Sequence, residues 1–183
     1  MKNKIIGTKF EVWAEQLFSD LGYNVRRNTI YYKGSKKRGN TYRQVDLEYF
    51  GKTLGFFPWH TILELKYSNG GKIRLNHRAI HPSKKKQERS IENLVAEVDE
   101  RRRFVRANSA IIITNSYFTD ELKKEAKKCR IKLYDRDKLL SLDKQRASFF
   151  EKIGIKKRAL LEEQVGKVRL SKQDFRPSYV KLL

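Results

Sequence analysis

Residues 61–71 read TILELKYSNGG, an apolar run into a Gly-Gly turn with a glutamate and a lysine two apart in its middle. Leu63, Leu65 and Tyr67 alternate with Ile62, Glu64 and Lys66, the period-two pattern of a β-strand. Residues two apart on a strand project from one face about 6.5–7 Å apart, whereas on a helix they diverge. The same E-x-K spacing recurs at Glu121/Lys123 and Glu125/Lys127, inside a stretch with helical pattern. Only Glu64 and Lys66 can therefore converge on one small volume.

Upstream, residues 42–50 read YRQVDLEYF, in which Val45, Leu47 and Tyr49 alternate with Gln44, Asp46 and Glu48. This is a second strand with Asp46 on the face opposite the apolar set. If the two strands pair nearby, two carboxylates and one ammonium meet at one edge of a sheet. Like charges placed close together destabilise a sheet, and one lysine offsets one carboxylate only. A hard divalent cation held by oxygen, magnesium with several waters, would supply the missing charge. Phosphodiester hydrolysis needs the same parts: carboxylates, a metal, and a cation near the attacking water or developing charge. The competing explanation is a surface ion pair worth about 0–1 kcal/mol.

Outward from these strands, Phe10, Trp13, Ala14, Leu17, Phe18 and Leu21 recur at helical spacing, with Gly22 placed as a C-terminal cap. A short strand at 23–26 and a basic, glycine-punctuated loop at 31–42 follow, and 51–60 reads as a turn and a short strand. Residues 83–108 read as one long charged helix with Ile91, Leu94, Val95, Val98 and Val105 on one side. SAIIIT (109–114) is a buried strand, 119–128 a helix with acids early and lysines late, and RIKLYD (130–135) a further strand. The order predicts an α/β fold. From 141 to 183 the pattern becomes charged and helical, ending in a tail with Pro177, with 11 Lys and Arg against 5 Asp and Glu. Such an extension is either a basic arm for nucleic acid or a helical brace.

The 183 residues carry 42 Lys and Arg against 21 Asp and Glu, a formal charge of +21, which points to a polyanionic partner. Nucleic acid leads. An anionic membrane is disfavoured because the basic residues do not gather on one amphipathic helix. One cysteine, Cys129, excludes an internal disulfide, and three histidines offer no structural zinc spacing. No signal peptide or membrane-spanning run is read, so a cytoplasmic setting is expected. No phosphate-binding Gly-rich loop with its lysine occurs, which disfavours an ATP-driven enzyme.

Taken in order, GTKFEVWAEQLFSDLGYNVRR (7–27), QVDLEYF (44–50), LELKYS (63–68) and AIIITNSYFTDELKKEAKKCRIKLYDRDKL (110–139) resemble the Mrr-type branch of the PD-(D/E)XK, or restriction-endonuclease-like, nucleases. The stretch is also similar to archaeal-type Holliday-junction resolvases. The resemblance covers about residues 5–140 and implies a nuclease core over 1–140, with a central mixed β-sheet flanked by helices, and a basic helical extension over 141–183. It implies that Asp46 and Glu64 bind metal, that Lys66 is the catalytic lysine, and that Glu11 of the first helix helps hold the metal. Magnesium is the expected cofactor, with manganese able to substitute. The chain departs from the family in carrying Glu64 where Mrr-type members often have Gln, and Val45 where the superfamily name has Pro. Thr8-x-x-Glu11 also reads as a capping box, which would engage Glu11 at a helix start.

The function so implied is metal-dependent DNA endonuclease. Lys36, Lys37, Arg38, Arg43, Arg101, Arg102, Arg103, Lys156, Lys157 and Arg158 are expected to grip backbone phosphates. A Holliday-junction resolvase, an inactive DNA-binding or assembly module, and a symmetric homodimer stay open as alternatives. Gln87 reads as a solvated helix end or a residue approaching the site, and Thr114, Asn115 and Ser116 as a phosphate loop or turn chemistry. His77 and His81 lack the accompanying ββα-metal pattern.

Overall fold

The computed structural model describes residues 2–34, 42–53, 57–80, 89–146, 151 and 158–182. Its first element, α1 (Lys2–Asp20), ends where Gly22 adopts φ 87°, donating to Ser19 while Tyr23 donates to Phe18. This αL glycine closes the helix as a Schellman turn. Next come β1 (Asn24–Lys33), β2 (Tyr42–Thr53) and β3 (Phe57–Lys66), an antiparallel run in which β1 is much longer than 23–26.

A two-stranded hairpin, β4 (Asn76–Ile80) with β5 (Arg89–Asn93), then leads into α2 (Leu94–Phe104). The long helix expected over 83–108 is thus corrected to a strand followed by an 11-residue helix. Asn93 sets the boundary: its backbone is extended and its side chain accepts from the Ala96 amide at 3.0 Å, an N-cap inside a stretch whose apolar residues keep helical spacing from Ile91 onward. β6 (Ser109–Thr114), α3 (Asp120–Lys128), β7 (Lys132–Tyr134) and α4 (Arg136–Gln145) follow.

The main sheet is mixed and six-stranded, in the order β7-β6-β3-β2-β1-β8, with β3, β6 and β7 parallel. Its sixth strand, β8 (Ser178–Leu182), runs parallel to β1 at the edge. The tail read as helical therefore closes with a strand after α5 (Leu161–Lys167) and a 3₁₀ turn at Lys172–Phe175. Val180 and Leu182 turn inward against the core, which is the alternation that a strand requires.

Two apolar layers cover the sheet, in agreement with the expected α/β class. Leu94, Val95 and Val98 of α2 and Leu122 and Ala126 of α3 pack with Ile62, Ala110 and Ile112 on one face. Phe10, Trp13, Ala14, Leu17 and Phe18 of α1, Leu139 of α4 and Leu161 and Val165 of α5 pack with Leu63, Leu65, Ile111 and Ile113 on the other. Adjacent residues of β6 thus serve opposite layers, as the buried run SAIIIT implied.

β2 departs from simple alternation at one place. Val45 packs in the α2 layer while Leu47, two residues on, packs in the α1 layer. Opposite Asp46, Asn28 of β1 holds φ 53°, a left-handed conformation that asparagine tolerates better than most residues. The β1–β2 register omits Asn28 with Asp46, and the β2–β3 ladder stops at Leu47 with Leu63. Asp46 sits at this break.

Candidate active site

Where the ladder stops, the Asp46 side chain takes over a backbone role. Its Oδ2 accepts from the Leu65 amide at 3.0 Å, so a carboxylate from β2 is pinned beside Glu64 on β3. Glu64 has the same strand parity as Ile62 and therefore faces α2, 4% exposed. Its Oε1 lies 2.7 Å from Lys66 Nζ. The strand geometry read from TILELKY is what brings these two together.

The second partner of Glu64 is Arg101 of α2, whose Nη1 bonds its Oε2. Arg101 was expected among the surface cations that grip phosphates. It is instead largely buried, because it lies on the side of α2 that faces β3. Glu97, one turn earlier on α2, lies within electrostatic reach of both Lys66 and Glu64, and its carboxyl is pushed up to about 7 by burial and by hydrogen bonding to Glu92. Sequence reading passed over Glu97. The i, i+4 spacing of Glu97 and Arg101 beside the buried Leu94/Val98 row was the available signal.

These neighbours set the protonation of the cluster. Burial raises Asp46, and the charge of Glu64 raises it further, to about 7. Burial would also raise Glu64, but Arg101 and then Lys66 outweigh it and leave Glu64 below the usual carboxylate range. Burial disfavours the Lys66 ammonium, yet Glu64 and Asp46 overcome this and leave its pKa raised. Lys66 is therefore a firmly charged group at neutral pH.

Glu11 approaches from α1. Burial raises its pKa against the opposing pull of Arg27, whose Nη1 is 3.9 Å away, and Glu64 raises it further. The capping-box explanation for Glu11 falls away: α1 starts at Lys2, so Thr8 and Glu11 lie inside the helix. Glu11 also lines a cleft of about 440 Å³ with Thr8, Asn28, Gln44 and Phe175.

Among the described residues no three His, Cys, Asp or Glu side chains converge closely enough to cage a metal. The donors present nevertheless suit magnesium, which keeps several waters and commonly takes only one or two protein carboxylates. Asp46 and Glu64 are such a pair, and the Asp46 carboxyl is raised first by burial and then by the charge of Glu64.

The other candidate residues fall into two groups. Lys36, Lys37, Arg38, Gln87, His81, Lys156 and Lys157 lie outside the described residues. Arg43 makes a two-pronged pair with Glu100 at 2.7 and 2.8 Å. Arg102 and Arg103 each lie 2.7 Å from Asp99, with the Arg103 side chain 75% exposed. Arg158, expected on DNA, joins Asp143 and Glu151 in the C-terminal layer. Thr114, Asn115 and Ser116 serve the turn: Asn115 accepts from the Ser68 amide and donates to the Ser68 carbonyl, and Ser116 caps Gly71.

Glu48, which the sequence places only on the polar face of its strand, is a further buried carboxylate. Tyr31 Oη at 2.6 Å, His60 Nε2 at 2.7 Å and Arg26 Nε at 2.8 Å surround it, so its charge is fully matched within the sheet.

Residues 70–142, less than half of the chain, match the family Mrr_cat, described as restriction endonuclease. The stretch begins beyond Lys66, so it includes Arg101 but none of Asp46, Glu64, Lys66 and Glu11. No curated protein matches the chain. Among solved structures it is similar to AF1548, a protein of unknown function, at TM-score 0.53 and 15% identity over 83% of this chain and 73% of that one. It is also similar to VC1899 from Vibrio cholerae (TM-score 0.46, 11% identity, 74% of this chain) and to the MspJI restriction endonuclease in complex with a 27-mer oligonucleotide (TM-score 0.36, 16% identity, 88% of this chain). The chain spans only 30% and 36% of those two proteins. The family match supports a nuclease-type function. No helix among the described residues is long and apolar enough to cross a membrane.

Proposed function

From the match of residues 70–142 to a restriction-endonuclease family, we propose that the chain is a magnesium-dependent DNA endonuclease. The observation that carries the reading is the meeting of Asp46, Glu64 and Lys66 at the point where β2 and β3 part. Asp46 and Glu64 would hold the cation, with Glu11 beside them and manganese as the substitute. Bound there, a divalent ion lowers the pKa of water and offsets charge on the phosphate oxygens.

The chain's own residues do the rest. Asp46 accepts from the Leu65 amide, which orients its carboxylate before substrate arrives. Lys66 keeps its ammonium beside Glu64, where it would orient the attacking water and offset charge as a water oxygen adds to phosphorus, its proton passing to solvent, and the ester oxygen leaves and takes a proton from solvent. Its raised pKa favours this electrostatic role over proton abstraction.

The deciding experiment incubates plasmid and a four-way junction with the chain, with magnesium or with chelator. Magnesium-dependent cutting that is lost in Asp46→Asn is the expected result. Cutting that survives that substitution removes the site assignment, and tight binding without cutting favours a DNA-binding or assembly module. Preference for the junction over the plasmid selects the resolvase alternative.

Binding itself should be strongly salt-dependent, because the excess of 21 positive charges meets a phosphate backbone. Log affinity for duplex DNA should fall linearly with log salt, by about 0.9 for each phosphate neutralised. Fluorescence anisotropy across a salt series measures this, and a flat response would dispose of DNA as the partner.

A further inference from the structure

Resting on the metal-site reading above, we propose that Arg101 is a built-in stand-in for the divalent cation, and that cation and guanidinium compete for Glu64. The sequence leaves Asp46, Glu64 and Lys66 one positive charge short. The structure fills that deficit from α2: the Arg101 guanidinium bonds Glu64 Oε2, while Lys66 holds Oε1 at 2.7 Å. Both oxygens of a carboxylate that is 4% exposed are thereby occupied.

A cation entering between Asp46 and Glu64 needs a Glu64 oxygen. Lys66 and Arg101 are the two groups that must yield one, and they differ in how they are held. Glu64 and Lys66 share one face of one strand, and their proximity is fixed by the backbone. Arg101 reaches across from a separate helix, on a long side chain with several rotatable bonds. Releasing Arg101 costs one charge-assisted pair and leaves the strand geometry untouched. Two positive charges also repel at the short range that simultaneous binding would impose, so cation and guanidinium exclude one another.

The arrangement has two consequences. The metal-free chain keeps its carboxylate cluster assembled, since Arg101 offsets charge that would otherwise drive β2, β3 and α2 apart. Its affinity for the cation is correspondingly lowered, because part of the binding energy goes to displacing an internal partner. Arg101 is thus a positioning residue in the metal-free state, acting on the site through Glu64.

Manganese binding to the 183-residue chain, counted by electron paramagnetic resonance of the free ion, tests this directly. Arg101→Gln should bind manganese about tenfold to a hundredfold more tightly than the parent, as expected for loss of one charge-assisted competitor. In chelator its melting temperature should fall below that of the parent, and manganese should raise it by a larger increment. Arg101→Lys, which keeps the charge at shorter reach, should lie between the two and serves if the glutamine variant does not fold. Equal manganese affinity in parent and both variants would overturn the stand-in role while leaving the metal site in place. If neither parent nor variants bind manganese, and Asp46→Asn changes nothing, the metal-site reading itself fails and the proposal goes with it.

Discussion

On the proposed nuclease reading, Lys66→Met should bind duplex DNA as the parent chain does but cut it about a hundredfold to a thousandfold more slowly, the scale set by removing one preorganised charge from a site of developing negative charge. The expectation follows from how Lys66 is held. Its ammonium lies 2.7 Å from Glu64, and the neighbouring carboxylates more than offset the burial that would discharge it. Methionine fills a similar volume without the charge, and Glu64 keeps Arg101 as a partner, so the fold is retained. Lys66→Arg restores the charge with a wider, planar group and should recover only part of the rate, because a guanidinium does not replace an ammonium as a point charge. Single-turnover cleavage with magnesium, beside DNA affinity and thermal unfolding for each variant, separates these outcomes. A methionine variant that cuts at the parent rate would show that Lys66 is a surface ion pair and nothing more.

How much of this was legible beforehand differs from one residue to the next. The approach of Glu64 to Lys66 could be read directly, because period two is a property of the strand and needs no tertiary knowledge. The shortage of positive charge around Asp46 and Glu64 could be read too, but the answer was incomplete. Arg101 is 35 residues beyond Lys66, on a helix whose N-cap, Asn93, lies within apolar helical spacing that runs back to Ile91, and its orientation depends on how α2 lies over β3. The break at Asp46 was invisible for a related reason. Val45, Leu47 and Tyr49 alternate perfectly as letters, yet Val45 and Leu47 pack in opposite layers, across a break where Asn28 on the neighbouring strand is left-handed. Backbone handedness at one position is not written in a hydrophobic pattern. The same limit applied to the tail, where five residues form a strand only because β1 offers a free edge.

The C-terminal residues raise the second large expectation, since the alternatives for 141–183 were a basic arm and a brace. Asp143 favours the brace: its carboxylate, 3% exposed, takes Arg146 Nε at 2.7 Å, Arg158 Nε at 2.5 Å and Gln164 Nε2 at 3.0 Å. Gln164 in turn accepts from Trp13 of α1 at 3.1 Å, and Arg146 bonds Asp20 at 2.9 Å, so one acid ties α4 and α5 to the first helix. Burial works against the charge of Asp143, but the bonds from Arg158, Gln164 and Arg146 prevail and bring its pKa down to about 2. Asp143→Ala should therefore cost about 2–4 kcal/mol, from the loss of a buried carboxylate that two guanidiniums and one amide share. In a chain of this length that is a fall in melting temperature of about 5–15 °C. The pH dependence has a definite sign. A carboxylate whose pKa is lower in the folded state contributes stability above its unfolded pKa, near 4, and loses it as pH falls towards 2. Paired thermal unfolding curves should show parent and Asp143→Ala well separated at pH 7, with the gap narrowing between about pH 4 and pH 2. Coincident curves at pH 7 would release 141–183 from the brace and return Arg158 to the pool of cations free to meet a phosphate.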